Sequence, residues 1–366
     1  MKSIRLALVG GTVYASAHDE PLRNATVLID GETIAAIGAE IPAGAERIDC
    51  SGLTITAGFE NHHVHFFERK WADAEAIPDA ELDRQLEQTF TRYGFTSVFD
   101  LGSPLENTRR LRERAASRLR IRTTGEGLIP PGRAPSDDIL RVMGVMKTAL
   151  PEVADAAASE AVKRLLDAGV DGIKLFSVSE TATEAAVNEA HRAGKPVFVH
   201  PNTVADVLTA LRCGVDVIAH TAPHSGPWQI DATRAALTPT LSLWRFFSRH
   251  DRLSRQEQIV DTAVEQLRSW PGTVLFGTDL GAVDPDPSEE YALMARAGMT
   301  FAQILASLTS GRVAAGQPAD LVAFEETFAN VRYTLRGGRV IYAAPGPSSA
   351  ASRHLLPASG EKGTRA

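Results

Sequence analysis

The chain alternates short apolar runs with longer amphipathic stretches. DGIKLFSV, KPVFVHPN, GVDVIAHTA and TVLFGTDLG are short, mainly apolar runs, the pattern of a parallel strand covered on both faces. Residues 183–193, 203–213 and 255–270 read as the helices between them. Such alternation predicts an α/β chain built on parallel strands. Each of the four runs carries one polar residue at or near its carboxyl end: Lys174, His200, His220 and Asp279. Upstream, ITAGFENHHVHF at 55–66 sets His63 and His65 two residues apart directly after Gly58-Phe59. Alternate side chains of a strand share a face, so both imidazoles point the same way while His62 and Val64 point away.

Polar residues at the carboxyl ends of successive parallel strands are where a (β/α)8 barrel gathers its active site, because all those ends open onto one face. Taken singly, each has a plainer reading. A strand-end histidine is usually a hydrogen-bonded rim residue, and Asp279 would serve to cap a following helix. Lys174 resists such a reading. Flanked by Ile173, Leu175 and Phe176, it would be an expensive buried charge without a carboxylate partner, a metal-linked role or a wet cavity. Six such residues in strand order predict one shared metal site.

With these residues in place, the chain resembles the amidohydrolase superfamily, in the branch of imidazolonepropionase-related hydrolases that includes Xaa-Pro and Xaa-Arg/Lys dipeptidases and ochratoxin-hydrolysing amidases. The resemblance rests on Gly58-Phe59 followed by His63 and His65, then Lys174, His200, His220 and Asp279, and runs from about residue 4 to residue 341. It implies a TIM barrel of the amidohydrolase type with a small composite β-sandwich domain built from both termini. It also implies two divalent metal ions, most often zinc, one on His63, His65 and Asp279, the other on His200 and His220. Lys174, N6-carboxylated, would bridge them. The implied reaction is hydrolysis of an amide C–N bond in a small molecule such as an N-acyl amino acid or dipeptide, by a metal-bridging hydroxide with Asp279 as proton shuttle. Neutral imidazoles and carboxylate oxygens suit zinc or manganese.

Departures from that pattern are local. Ala57 stands where the branch has proline, and Glu60-Asn61 where it has Ile-Asp, so support of the first histidine is expected to differ. GLIPPGRAPSDD replaces a Gly-Gly-His-Gly stretch, with Arg133 in the place of its histidine as a candidate contact to a substrate carboxylate. His224 and Trp228, after the sixth strand, and Arg245, after the seventh, are weaker candidates on the same face. The junction 308–313 is short, which leaves closure of that side of the barrel open.

The expected domains are 1–57 and 316–343 for the two parts of the β-sandwich, 58–315 for the barrel, and 344–366 for a disordered Pro, Ser, Gly and Ala tail. At the amino end, residues 4–9, a Gly10-Gly11 turn, 12–14, 25–30 and 33–37 read as a strand series. That reading outweighs a short signal peptide and makes the expected location cytoplasmic. A length of 366 residues, 44% hydrophobic and 23% charged, is ordinary globular composition. The net charge of -7 argues against nucleic acid, and no run approaches the length of a membrane span. Two cysteines cannot form a disulfide framework. The expected partner is a small-molecule substrate, and many relatives assemble as homo-oligomers.

Other functions were weighed on the same residues. A mononuclear deaminase would carry Glu where Thr203 stands and would leave Lys174 superfluous. A non-catalytic scaffold would not need all six site residues. Hydrolysis of a cyclic amide or lactone uses the same set and is not separable from linear amide hydrolysis by sequence.

Overall fold

The computed structural model describes residues 6–38, 40–132, 151–176, 179–250, 256–281 and 283–345. Its first five strands are β1 (Leu6–Val13), β2 (Leu22–Asp30), β3 (Thr33–Ile37), β4 (Glu46–Asp49) and β5 (Thr54–Ala57). The chain returns to them at its other end with β13 (Leu321–Phe324), β14 (Val331–Arg336) and β15 (Arg339–Ala343). β13 pairs antiparallel with β5, so both ends share one eight-stranded sheet, ordered β15-β14-β13-β5-β1-β2-β3 with β4 on β1. Leu8, Val27, Ile29, Ile55, Leu321 and Leu335 pack together as its separate core.

Two details of this sheet follow from glycine. The expected Gly10-Gly11 turn is instead a bulge inside one continuous strand: the register of β1 against β2 shifts between Leu8 and Gly11, and Gly10 takes φ +79°. A side chain on Gly11 would meet Ile55 Cδ1 at 2.5 Å, so the second glycine is set by close packing rather than by a turn. The β14-β15 hairpin turns at Gly337-Gly338, both with positive φ, as a two-residue turn between twisted strands requires.

Between these ends lie β6 (Phe59–Val64), β7 (Phe95–Asp100) and β8 (Arg120–Thr123), which pair in parallel, and β9 (Ile173–Phe176), β10 (Val197–His200), β11 (Val217–Ala219) and β12 (Ala236–Thr238), which form a second parallel sheet. Parallel bridges join the two. Leu128 meets Leu175 on one side; on the other, segment 274–280 meets Leu237 through Val274 and Val64 through Leu280. The pairings thus run in a circuit from β6 back to β6. Inside it pack Phe99, Leu101, Phe198, Val217 and Ala219. Outside, the helices cover a larger core in which Phe59, Phe66, Trp71, Phe90, Phe95 and Phe276 are fully buried, each side chain contributing roughly 1.5–3 kcal/mol of transfer energy.

Local chemistry sets the helix limits. Ser179 accepts from the Ala182 N–H and starts the helix Glu180–Arg192 three residues before the apolar spacing suggests. Thr203 and Asp206 form a capping box on Val204–Arg212. The helix Leu241–His250 is capped from elsewhere in the chain: Glu290, fully buried, accepts the Leu241 N–H at 2.9 Å and the Ser242 N–H at 2.6 Å. Burial pushes its carboxyl up to about 7, against the pull of those two N–H groups. The short 308–313 junction is closed by hydrogen bonds from the Ser310 backbone and hydroxyl to Glu60 Oε1 and from Val313 N to Ala15 O at 3.0 Å.

Glu290→Gln would turn an amide donor toward one of two N–H groups. The expected cost is about 1–3 kcal/mol, read as a lower urea midpoint with unchanged slope; an unchanged midpoint would contradict the capping role.

Candidate metal centre

β6 carries His63 and leads directly into His65, and the segment after Phe276 brings Asp279 alongside. Backbone hydrogen bonds lock these two segments together: His62 N to Phe276 O at 2.8 Å, Asp279 N to His63 O at 2.9 Å and His65 N to Leu280 O at 2.7 Å. Glycine permits that approach, since a Cβ on Gly277 would lie 2.2 Å from Thr238 Cγ2 and 2.9 Å from His63 Cβ. Asn61, almost fully buried, adds a side-chain link. Its Oδ1 accepts the His63 N–H at 3.1 Å and its Nδ2 donates to Thr278 Oγ1 at 2.9 Å. His63 Nε2 and His65 Nε2 consequently stand 3.3 Å and 2.8 Å from the same oxygen, Asp279 Oδ1. Ligand atoms of the three lie within 4.8 Å of one another, all buried.

The other three expected ligands meet this group. Lys174, on β9 and with no exposed surface, places Nζ 3.4 Å from His63 Nε2. The His220 ring centroid lies 4.4 Å from that of His63 and 4.5 Å from that of His200. All six residues named from sequence therefore form one contiguous cluster, with Lys174 within β9, the four histidines at the carboxyl ends of β6, β10 and β11, and Asp279 on the 274–280 segment. Among the described residues, three of the four non-glycine positions with positive φ sit here, namely His220, Thr240 and Asp279, which is where strained backbone tends to collect in functional sites.

The electrostatics favour unprotonated donors. Burial pushes His200 down to about 4 and holds His63 and His220 well below the ordinary imidazole value; the Lys174 charge adds to each. His220 Nδ1 is spent on Thr240 Oγ1 at 2.7 Å, which fixes the ring and leaves Nε2 for a ligand. His63 and His65 each keep a buried Nδ1 with no partner among the described residues, and such orphaned atoms call for an explanation. Burial would raise the Asp279 carboxyl, but the His65 hydrogen bond and the charges of His65 and Lys174 hold it below its usual range. Lys174 makes no ion pair among the described residues, and burial lowers its amine to about 7 despite Asp279 and Asp100. Neutral imidazoles around an ionised carboxylate suit a divalent cation such as zinc, so the donor set fits the metal that the resemblance implies.

Other expected residues fall elsewhere. His224 is exposed, its ring 5.4 Å from Trp244, and Trp244 in turn lies 6.4 Å from His220. Arg245 points Nε to within 3.5 Å of Glu289 Oε1. Trp228 is buried on Trp270 and donates to Gln266 O at 2.9 Å, so it belongs to packing. Arg133 lies outside the described residues. Thr203 caps a helix and is unavailable for chemistry.

Sequence reasoning passed over Asp100, which ends β7 in FTSVFD. It is fully buried, accepts from Thr123 Oγ1 at 2.6 Å and from Ser103, and Ser103 Oγ in turn accepts the Phe66 N–H at 2.8 Å. This relay fixes the turn after His65. Burial pushes Asp100 up to about 6 against His65 and its two hydroxyl donors. The signal was present, a carboxylate at a strand's carboxyl end.

Unfolding lets these imidazoles take up protons near the ordinary value of 6.5. Below that pH the unfolded chain binds more protons than the folded one, so stability is lost as pH falls from 6.5 toward 4. In chelator-stripped protein the melting temperature is expected to fall steadily from about pH 7 to about pH 5, each buried imidazole contributing on the order of 1 kcal/mol per pH unit. His220→Gln should flatten part of that slope, and a profile already flat in the parent protein would contradict the neutral imidazoles.

No family model matches the sequence. A stretch of 106 residues is 36% identical to a dihydroorotase of Lactobacillus johnsonii and spans 28% of this chain and 23% of that one, less than a quarter of the relative's length. Solved structures match almost throughout. A Xaa-Pro dipeptidase with methionine bound in its active site superposes with a TM-score of 0.73 at 19% identity, covering 93% of this chain and 100% of that one. The ochratoxinase of A. niger gives 0.72 at 18%, covering 93% and 96%; molinate hydrolase gives 0.72 at 19%, covering 96% and 100%. The fold of this chain is the one shared by these amidohydrolase structures.

Proposed function

We propose that this chain is a metal-dependent amidohydrolase that cleaves the C–N bond of a small amide, an N-acyl amino acid or dipeptide with a free carboxylate. The circuit of parallel strands is read as a (β/α)8 barrel, and the sheet from both termini as its composite β domain. One observation carries the proposal: a fully buried lysine without an ion pair among the described residues, set among three neutral histidines and a carboxylate at the strand ends. The likeness in fold to a dipeptidase, an ochratoxinase and molinate hydrolase supports it.

On this reading His63, His65 and Asp279 hold one divalent ion and His200 and His220 a second, most often zinc. Such ions supply Lewis acidity toward a carbonyl oxygen and a water acidic enough to attack it. Lys174, its amine lowered to about 7, is neutral often enough to take up carbon dioxide; as the N6-carboxylate it becomes an anionic oxygen donor between the two groups of histidines, and its buried positive charge is removed. Asp279 points Oδ1 at both imidazoles, which leaves Oδ2 to accept a proton from the attacking water and pass it to the leaving nitrogen. An amide nitrogen leaves poorly unless protonated. Thr240 holds the His220 ring, while Asn61 and the Asp100–Ser103 relay hold the backbone around His63 and His65.

For the substrate carboxylate, Arg133 from sequence and His224, whose ring lies against Trp244, are the proposed contacts; Arg245, engaged by Glu289, is the weaker one. Among the described residues no helix is long and apolar enough to cross a membrane, and the unpaired thiols of Cys50 and Cys213 support a cytoplasmic setting.

Zinc-loaded and chelator-stripped protein offered N-acyl amino acids, dipeptides, cyclic amides and lactones should show metal-dependent release of amine from the linear amides. Asp279→Asn should keep most of its metal yet lose about 100- to 10,000-fold in turnover. Normal turnover in that variant would remove Asp279 from the proposed role. Ring-opening alone would leave the site assignment and overturn the substrate class.

A further inference from the structure

A solvent-open cleft of about 380 Å³, with Glu32, Arg120 and Arg339 exposed along it, lies where the terminal sheet meets the circuit of parallel strands. Arg120 opens β8, at the end of that strand opposite to the metal centre, while Asp320 precedes β13 and Arg336 and Arg339 flank the β14-β15 turn of the terminal sheet. Arg120, Arg336, Arg339, Glu32, Asp320 and Ser117 line the cleft, drawn from four separate stretches of chain. One wall is fixed by close backbone contact, because a Cβ on Gly338 would lie only 2.0 Å from Gly31 O. The turns β2-β3 and β14-β15 therefore abut.

The charges here do not balance. Asp320 is fully used, pairing through Oδ2 with Arg336 and accepting the Gly337 N–H on Oδ1 at 2.7 Å. Arg120 and Arg339 line the same cleft, and neither makes an ion pair among the described residues; the one remaining acid is Glu32. Two guanidinium groups against one carboxylate leave the cleft with a positive balance. Each guanidinium presents a planar fork of donors matched to a carboxylate or phosphate, and Ser117 adds a hydroxyl.

We propose that this cleft is a binding site for a compact oxyanion, the phosphate or carboxylate group of a small metabolite, held between Arg120 and Arg339, with Arg336 kept in place by Asp320 as its rigid wall. A ligand there would touch the terminal sheet and β8 together. It would bind the folded chain alone and so raise its melting temperature by mass action.

The test is thermal unfolding of metal-loaded protein in rising inorganic phosphate and, separately, citrate, against sodium chloride at matched ionic strength. The parent protein is compared with Arg120→Gln/Arg339→Gln. Neither residue belongs to the metal centre, so both proteins should turn over amides alike. A saturable rise in melting temperature, with apparent affinity weakened about tenfold or more in the double variant, supports the proposal, and whichever anion gives it names the oxyanion class. An equal rise in both proteins would place the anion elsewhere, at the metal centre first of all, and overturn the proposal; so would no rise beyond the chloride control.

Discussion

A lysine sealed from water, with no carboxylate in contact among the described residues, is the constraint around which the rest of this structure is arranged. An uncompensated ammonium inside a protein is among the costliest groups to bury, and Lys174 has no exposed surface. Its surroundings reduce the cost in part by shifting the amine toward neutrality, to about 7, and the proposed carboxylation with two divalent ions would remove it altogether. The same burial keeps His63, His200 and His220 neutral, which is the state in which an imidazole can donate to a metal. One feature, exclusion of water at the strand ends, therefore produces both the difficulty and the donor set that resolves it.

Holding those donors together requires the first and last segments of the circuit to approach closely. Gly277 leaves room for His63, and Gly281, at φ +115°, for His65. Asn61 bridges His63 to Thr278, and Thr240 steadies His220 while adopting a left-handed conformation of its own. Strain at His220, Thr240 and Asp279 is maintained by a well-packed surround: below the cluster Phe99, Phe198 and Val217 fill the interior. Rigidity beneath and strain above is the arrangement expected where precise ligand placement matters more than local stability.

Much of this was legible in the sequence because the relevant signals are local. Apolar runs with a polar residue along them gave the strands and four of the six clustered side chains, and the alternate spacing of His63 and His65 gave the other two; Gly337-Gly338 gave its hairpin. What the sequence concealed depends on partners distant in the chain. Gly10-Gly11 has the composition of a turn but serves as a bulge, because Ile55 leaves no space for a side chain. Glu290 caps a helix some fifty residues earlier, and nothing local marks it. The short 308–313 junction looked like a missing piece, yet Ser310 closes it on Glu60, which with Ala57 and Asn61 departs from the pattern of the resembled branch. Asp100 differs from these, since its position at a strand end was readable and was passed over. Trp228, whose place after a strand allowed either the site or packing, proves to be packing, its indole donating to Gln266 O and lying against Trp270.

The most direct test of the central claim is a crystal structure of the purified protein with anomalous scattering recorded at the absorption edge of the metal it contains. The account predicts one peak held by His63, His65 and Asp279, a second at His200 and His220, and density for a carboxylate on Lys174 Nζ between them. A lysine without added density and no peak at His63, His65 and Asp279, in protein shown to carry metal, would contradict it.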